Sequence, residues 1–144
     1  MGDGRLRQGW VGLVLRWGPV VAWMAGIFFF SAQSRPLGVA SEGPYGEMLG
    51  RLSHVAEYAG LALLVRRALG DGVGGWRGAG IAFAVAVGYA VTDEVHQRFV
   101  PGRECSVMDL GYDALGAAGA LVIVEACRTR RVEKLTGGHS GGEA

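Results

Sequence analysis

A chain of 144 residues holds one domain at most. Half of its residues are apolar and 19% are charged, and the charges gather at residues 1–16, 35–77, 93–113 and 125–143, leaving long uncharged runs between. A net charge of +1 without a Gly-rich phosphate loop argues against a nucleic-acid or nucleotide partner, and two cysteines with no CxxC pair carry no cysteine-rich zinc signature; no metal or other cofactor is expected.

Residues 1–9 form a basic lead-in, with Arg5 and Arg7, to the first predicted helix at about 10–32. From Trp17 to Ala32 there is no charge. Counted from Trp10, the run supplies the roughly 20 residues that cross a bilayer, provided Arg16 extends its charged end to the headgroups. Pro19 marks a kink or a first turn. A signal peptide is the rival reading, and Arg16 and Pro19 interrupt its apolar middle.

Residues 33–51 hold Ser34, Pro36, Gly38, Ser41, Gly43, Pro44 and Gly46 and read as a loop. A second helix at 52–69 carries His54, Glu57 and Tyr58 at its start and Arg66 and Arg67 at its end. Asp71 to Arg77 is a Gly-rich turn, and the third helix spans 78–97. Pro101 and Gly102 break the chain before a fourth helix at 107–127; residues 128–144 read as a polar, disordered cytoplasmic tail. Cys105 and Cys127 flank that last helix, about 30 Å apart at about 1.5 Å per residue. A disulfide needs alpha carbons within about 7 Å, so the two do not pair.

Four apolar helices with short connections, rich in glycine, predict an all-α integral membrane bundle over residues 10–127. Ten basic residues fall at the amino end, the second connection and the tail, and four at the other end. The excess of Lys and Arg on one side puts both termini in the cytoplasm and the junction around residues 93–109 outside.

That junction is where the sequence is least like a packed core. Asp93, Glu94, His96, Gln97, Arg98 and Arg103 crowd between two apolar runs. Residues three and four apart share a helix face. His54, Glu57 and Tyr58 then form one polar stripe, Tyr89, Asp93, His96 and Gln97 a second, and Asp109, Tyr112, Asp113 and Gly116 a third. A buried carboxylate in a membrane needs partners, and only convergence of the stripes supplies them. The expected pocket is therefore Gln33, His54, Glu57, Tyr58, Asp93, Glu94, His96, Gln97, Arg103 and Asp109. Each residue also has an ordinary role. Glu94 and Arg98 have the spacing of a surface ion pair, Arg103 is placed to neutralise Asp93 or Asp109, and Gly116 and Ala120 suit close helix packing.

Phe29-Phe-Ser-Ala-Gln-Ser34, Arg51-Leu-Ser-His-Val-Ala-Glu-Tyr58, Tyr89 to Arg103 with its Asp-Glu-x-His-Gln-x-Phe core, then Ser106 and Asp109, closely resemble the VanZ-like family over roughly residues 20–120. The resemblance implies a small multi-pass protein of the bacterial cell membrane. The founding member is linked to resistance to the glycopeptide teicoplanin. Arg51 stands where Lys is usual, and Asp113 where Asn is usual, which adds a negative charge.

Two functions stay open. In one, the outward pocket binds or modifies a cell-envelope component or lipid headgroup, with membrane lipids and a lipid-linked cell-wall precursor as partners. In the other, the chain is a metal-dependent hydrolase or transferase acting on a lipid-linked substrate, although two histidines on different helices do not make the zincin pattern. A proton pathway ranks below both, because the lower halves of the helices read as free of a charged relay.

Overall fold

The computed structural model describes residues 3–33, 44–101, 103 and 105–137. Within them the chain folds into four helices and a single 3-10 turn: α1 (Asp3–Ser31), α2 (Pro44–Leu69), the turn Asp71–Val73, α3 (Gly75–Gln97) and α4 (Val107–Gly137). No strand occurs among the described residues, and the all-α bundle expected from the apolar runs is the fold.

Three boundaries differ from the sequence reading. α1 begins at Asp3, inside the expected lead-in 1–9. α2 begins at Pro44, inside the expected loop, because proline is well tolerated at a first helical position, where its missing N–H is not needed. The rest of that loop, 34–43, lies outside the described residues. α4 continues to Gly137, so residues 128–137 are helix rather than a disordered tail; the helix leaves the apolar run and carries on through a basic segment. Gly70, at φ 65° and ψ −164°, takes a positive-φ conformation open to glycine and stops α2. Ser106 starts α4 by accepting the Asp109 N–H on its hydroxyl at 3.3 Å.

The helices alternate in direction. Arg16 lies against Gly70 and Arg66 pairs with Glu125, so the first half of α1, the α2–α3 connection and the last part of α4 share one end. Ser31, His54, Asp93 and Asp113 lie at the other.

The core is made mostly of small residues. Ala79, Ala82, Ala86 and Ala90 recur every three or four positions on one face of α3, against Leu61, Ala62 and Val65 of α2 and Ala117 and Leu121 of α4. At Gly116 the backbones of α4 and α2 meet so closely that an added Cβ would run into the Val55 carbonyl.

Gly9–Ser31, Gly75–Gln97 and Val107–Lys134 are long and apolar enough to cross a membrane, with mean hydropathies of 1.7, 1.3 and 1.6. α2 is not among them, and its place explains why: it packs against α1, α3 and α4, so less of its surface needs to suit lipid. Large apolar side chains on the other helices, such as Val14, Phe29 and Ile123, point outward. This is the surface that a bilayer covers.

The end opposite the cap holds a buried ion pair that the sequence reading did not foresee. Arg66 donates from Nε to Glu125 Oε1 at 2.6 Å, and both side chains are buried. Arg66 also donates to the Gly70 carbonyl at 3.3 Å. The guanidinium fits because Gly78 has no side chain, an added Cβ there standing 3.2 Å from Arg66 Cζ. Read alone, Arg66 was one more interfacial cation; its carboxylate partner lies 59 residues away on another helix.

Candidate functional site

The ends of α1, α2 and α3 and the start of α4 build a polar cap. At its centre is Asp93, buried, with both carboxylate oxygens in use. Ser31 donates its hydroxyl to Oδ1 at 2.6 Å, and Gln97 donates its amide to Oδ2 at 3.1 Å. The Gln97 carbonyl oxygen accepts from Arg103 Nε at 3.3 Å. Arg103 thus reaches Asp93 through the Gln97 amide rather than by a direct ion pair.

Glu94 turns toward α4. Its Oε2 accepts the Ser106 backbone N–H at 2.9 Å, beside the helix start, where a negative charge is favoured by the helix dipole. The surface ion pair with Arg98 does not form, since Glu94 is only 5% exposed and Arg98, just past the end of α3, is exposed. Glu94 Oε1 is buried without a hydrogen bond of ordinary length, although the Cys105 thiol, a weak donor, lies beside the carboxylate. That thiol, outside the spans, is held above its ordinary pKa by desolvation first and by Glu94 second.

Across the cap, His54 Nδ1 and Asp113 Oδ1 are hydrogen-bonded at 3.0 Å; Asp113 is buried and His54 is 14% exposed. Tyr58, one turn below His54, is 1% exposed, and its hydroxyl has no partner among the described residues. It sits within electrostatic reach of Asp93, Asp113 and Glu57. Glu57 is half-buried and feels His54, Asp93, Asp113 and Arg103 together, and Asp109 acts on His54.

Eight of the ten expected residues therefore belong to one layer. The other two stand toward α1. The His96 ring stacks on Phe28, centroids 4.4 Å apart, with Nε2 buried and unpartnered. Gln33, just past the end of α1, donates at 3.3 Å to the Phe29 carbonyl of that helix. Two residues belong to the cap that were not on the expected set. Ser31 sits in the Phe-Phe-Ser-Ala-Gln-Ser motif, and Asp113 follows Asp109 by one helical turn. α1 is tied to the layer by Trp23, whose indole donates to the Glu57 carbonyl at 2.9 Å, and by Tyr89, whose hydroxyl donates to the Met24 carbonyl at 2.7 Å.

Chemically the layer is acidic. Glu57, Asp93, Glu94, Asp109 and Asp113 share the layer with Arg103 and His54, while Arg51, over the Tyr112 ring, and Arg98, near Cys105, are exposed at its edge. Among the described residues no three His, Cys, Asp or Glu side chains are grouped to hold a metal ion. The arrangement can accept hydrogen bonds at several points, donate from Arg103 at its edge, and exchange a proton at His54.

The sequence model of one family, VanZ/LLP1, matches residues 17–128. Neither a curated protein nor a solved structure matches the chain.

Proposed function

The chain belongs to the VanZ/LLP1 family, and from that premise we propose that its cap faces outward from a bacterial cell membrane and binds the polar head of a lipid or lipid-linked envelope component. Binding there changes susceptibility to teicoplanin-type glycopeptides. The observation that carries this reading is the convergence of His54, Glu57, Tyr58, Glu94, Arg103 and Asp109 on one layer, with a buried Tyr58 hydroxyl that no described residue satisfies. Packing alone gives no reason to bury so many ionisable groups together. The outward orientation is supported by the basic residues: without the buried Arg66, nine of the ten remain at the end opposite the cap, against Arg51, Arg98 and Arg103 beside it among the described residues.

The test is a cell carrying Glu57→Gln or Glu94→Gln at wild-type membrane levels. Glycopeptide susceptibility should revert to that of cells lacking the protein. Unchanged susceptibility in both variants would remove the cap from the function.

One observation supports a second reading, a hydrolase or transferase on a lipid-linked substrate. A carboxylate on Nδ1 orients an imidazole and leaves Nε2 for proton transfer, as Asp113 does for His54. Turnover that disappears in His54→Ala while headgroup binding persists would favour it. Loss of that turnover on chelation, restored by added zinc, would mark the metal-dependent form.

A further inference from the structure

We propose that the group the cap accepts is a primary ammonium, presented by an aminated headgroup, rather than a bare oxyanion; this rests on the reading of the cap as a ligand site. Charge is the first argument. Five carboxylates share the layer with Arg103 and His54, outnumbering the cations even with the exposed Arg51 and Arg98 at its edge, and His54 is committed to Asp113 and Arg103 Nε to Gln97. A phosphate entering this layer meets like charge on most sides. The second argument is independent of the carboxylate count. The Tyr58 hydroxyl is buried, unpartnered and within reach of Asp93, Asp113 and Glu57. Glu94 Oε1 is also buried and, among the described residues, has the Cys105 thiol beside it as its donor. Both atoms can accept, and a primary ammonium brings three N–H donors and the opposite charge. A quaternary ammonium carries the charge without the donors and relies instead on an aromatic cage.

The ammonium can arrive on an aminoethyl phosphodiester lipid or on an amino sugar, and the two sources separate experimentally. The full chain in detergent is titrated with short-chain phosphatidylethanolamine, phosphatidylcholine and phosphatidylglycerol, followed by melting temperature and tryptophan fluorescence. Phosphatidylethanolamine should bind saturably, at least about tenfold more tightly than the other two, the weight of one charged hydrogen bond. Glu94→Gln and Tyr58→Phe should each weaken it about tenfold without lowering the melting temperature of the free protein. Glucosamine that competes identifies an amino sugar as the source; glucosamine that does not leaves the lipid. Phosphatidylcholine binding as tightly as phosphatidylethanolamine overturns the proposal. So does tight phosphatidylglycerol binding lost in Arg103→Gln, which leaves the cap a ligand site of the opposite sign. If no headgroup binds, the ammonium proposal falls, and glycopeptide susceptibility still decides the broader reading.

Discussion

Asp93 and Glu94 are adjacent carboxylates with different surroundings: Asp93 is bonded at both oxygens, and Glu94 at one. Replacing Asp93 with alanine leaves the Gln97 amide buried without its acceptor, while Ser31 keeps the Phe28 carbonyl at 3.1 Å, at a cost of about 1–3 kcal/mol. Asp93→Ala should therefore melt well below wild type in detergent. Asp93→Asn keeps one acceptor for Gln97, and Ser31 can turn its hydroxyl to accept from the new amide, so its loss should be small. Glu94→Gln retains an oxygen for the Ser106 N–H and should melt near wild type, as should Tyr58→Phe, which removes a hydroxyl with no partner. A large drop in either of the last two would mean that a buried partner, such as an ordered water, normally satisfies the group.

Between helices, closeness of approach dominates. The Val55 carbonyl occupies the place a Gly116 side chain would take, so Gly116→Leu must push α4 from α2. Overpacking of this kind costs about 1–3 kcal/mol. Membrane levels and melting temperature should fall, while Gly119→Ala, which meets nothing within 4 Å, should be silent. The Arg66–Glu125 pair makes a second test at this scale. Removing one partner of a buried pair strands the other charge and costs about 3–5 kcal/mol, whereas an apolar pair of similar volume is often neutral. Arg66→Met should be poorly stable, and Arg66→Met combined with Glu125→Leu should recover most of the loss in a thermal melt. A double variant no better than the single one would mean that the pair, not its neutralisation, is required.

For the molecule as a whole, the open matter is which end faces out. Cys105 is exposed in the α3–α4 connection at the cap end, and Gly72, in the turn after α2, lies at the other. In intact cells a membrane-impermeant maleimide should label Cys105. A Gly72→Cys variant lacking both native cysteines should label only after permeabilisation. Because the Cys105 thiol is held above its ordinary pKa, little thiolate is present near neutrality, and the labelling rate should climb as pH is raised. Labelling with the opposite sidedness would turn the cap to the cytoplasm and end the envelope-facing proposal.

Four helices, their order and a polar junction after the third were legible in the sequence, because hydrophobic runs and three-to-four residue stripes are local properties of a helix. The apolar runs did not show where α1 and α2 begin or where α4 ends. A proline that opens α2 and a basic segment that prolongs α4 are helical for reasons that hydropathy does not register. Nor could local pattern show which polar groups meet. Ser31 reaches Asp93 across 62 residues, His54 reaches Asp113 across 59, and Arg66 reaches Glu125 across 59. Each pairing depends on the rotation and axial register of two helices against each other, set by the alanine face of α3 and the contact at Gly116. Only the tertiary structure fixes that register. It draws Ser31 and Asp113 into the cap, leaves Gln33 and His96 toward α1, and buries Arg66, which the sequence placed among the interfacial cations.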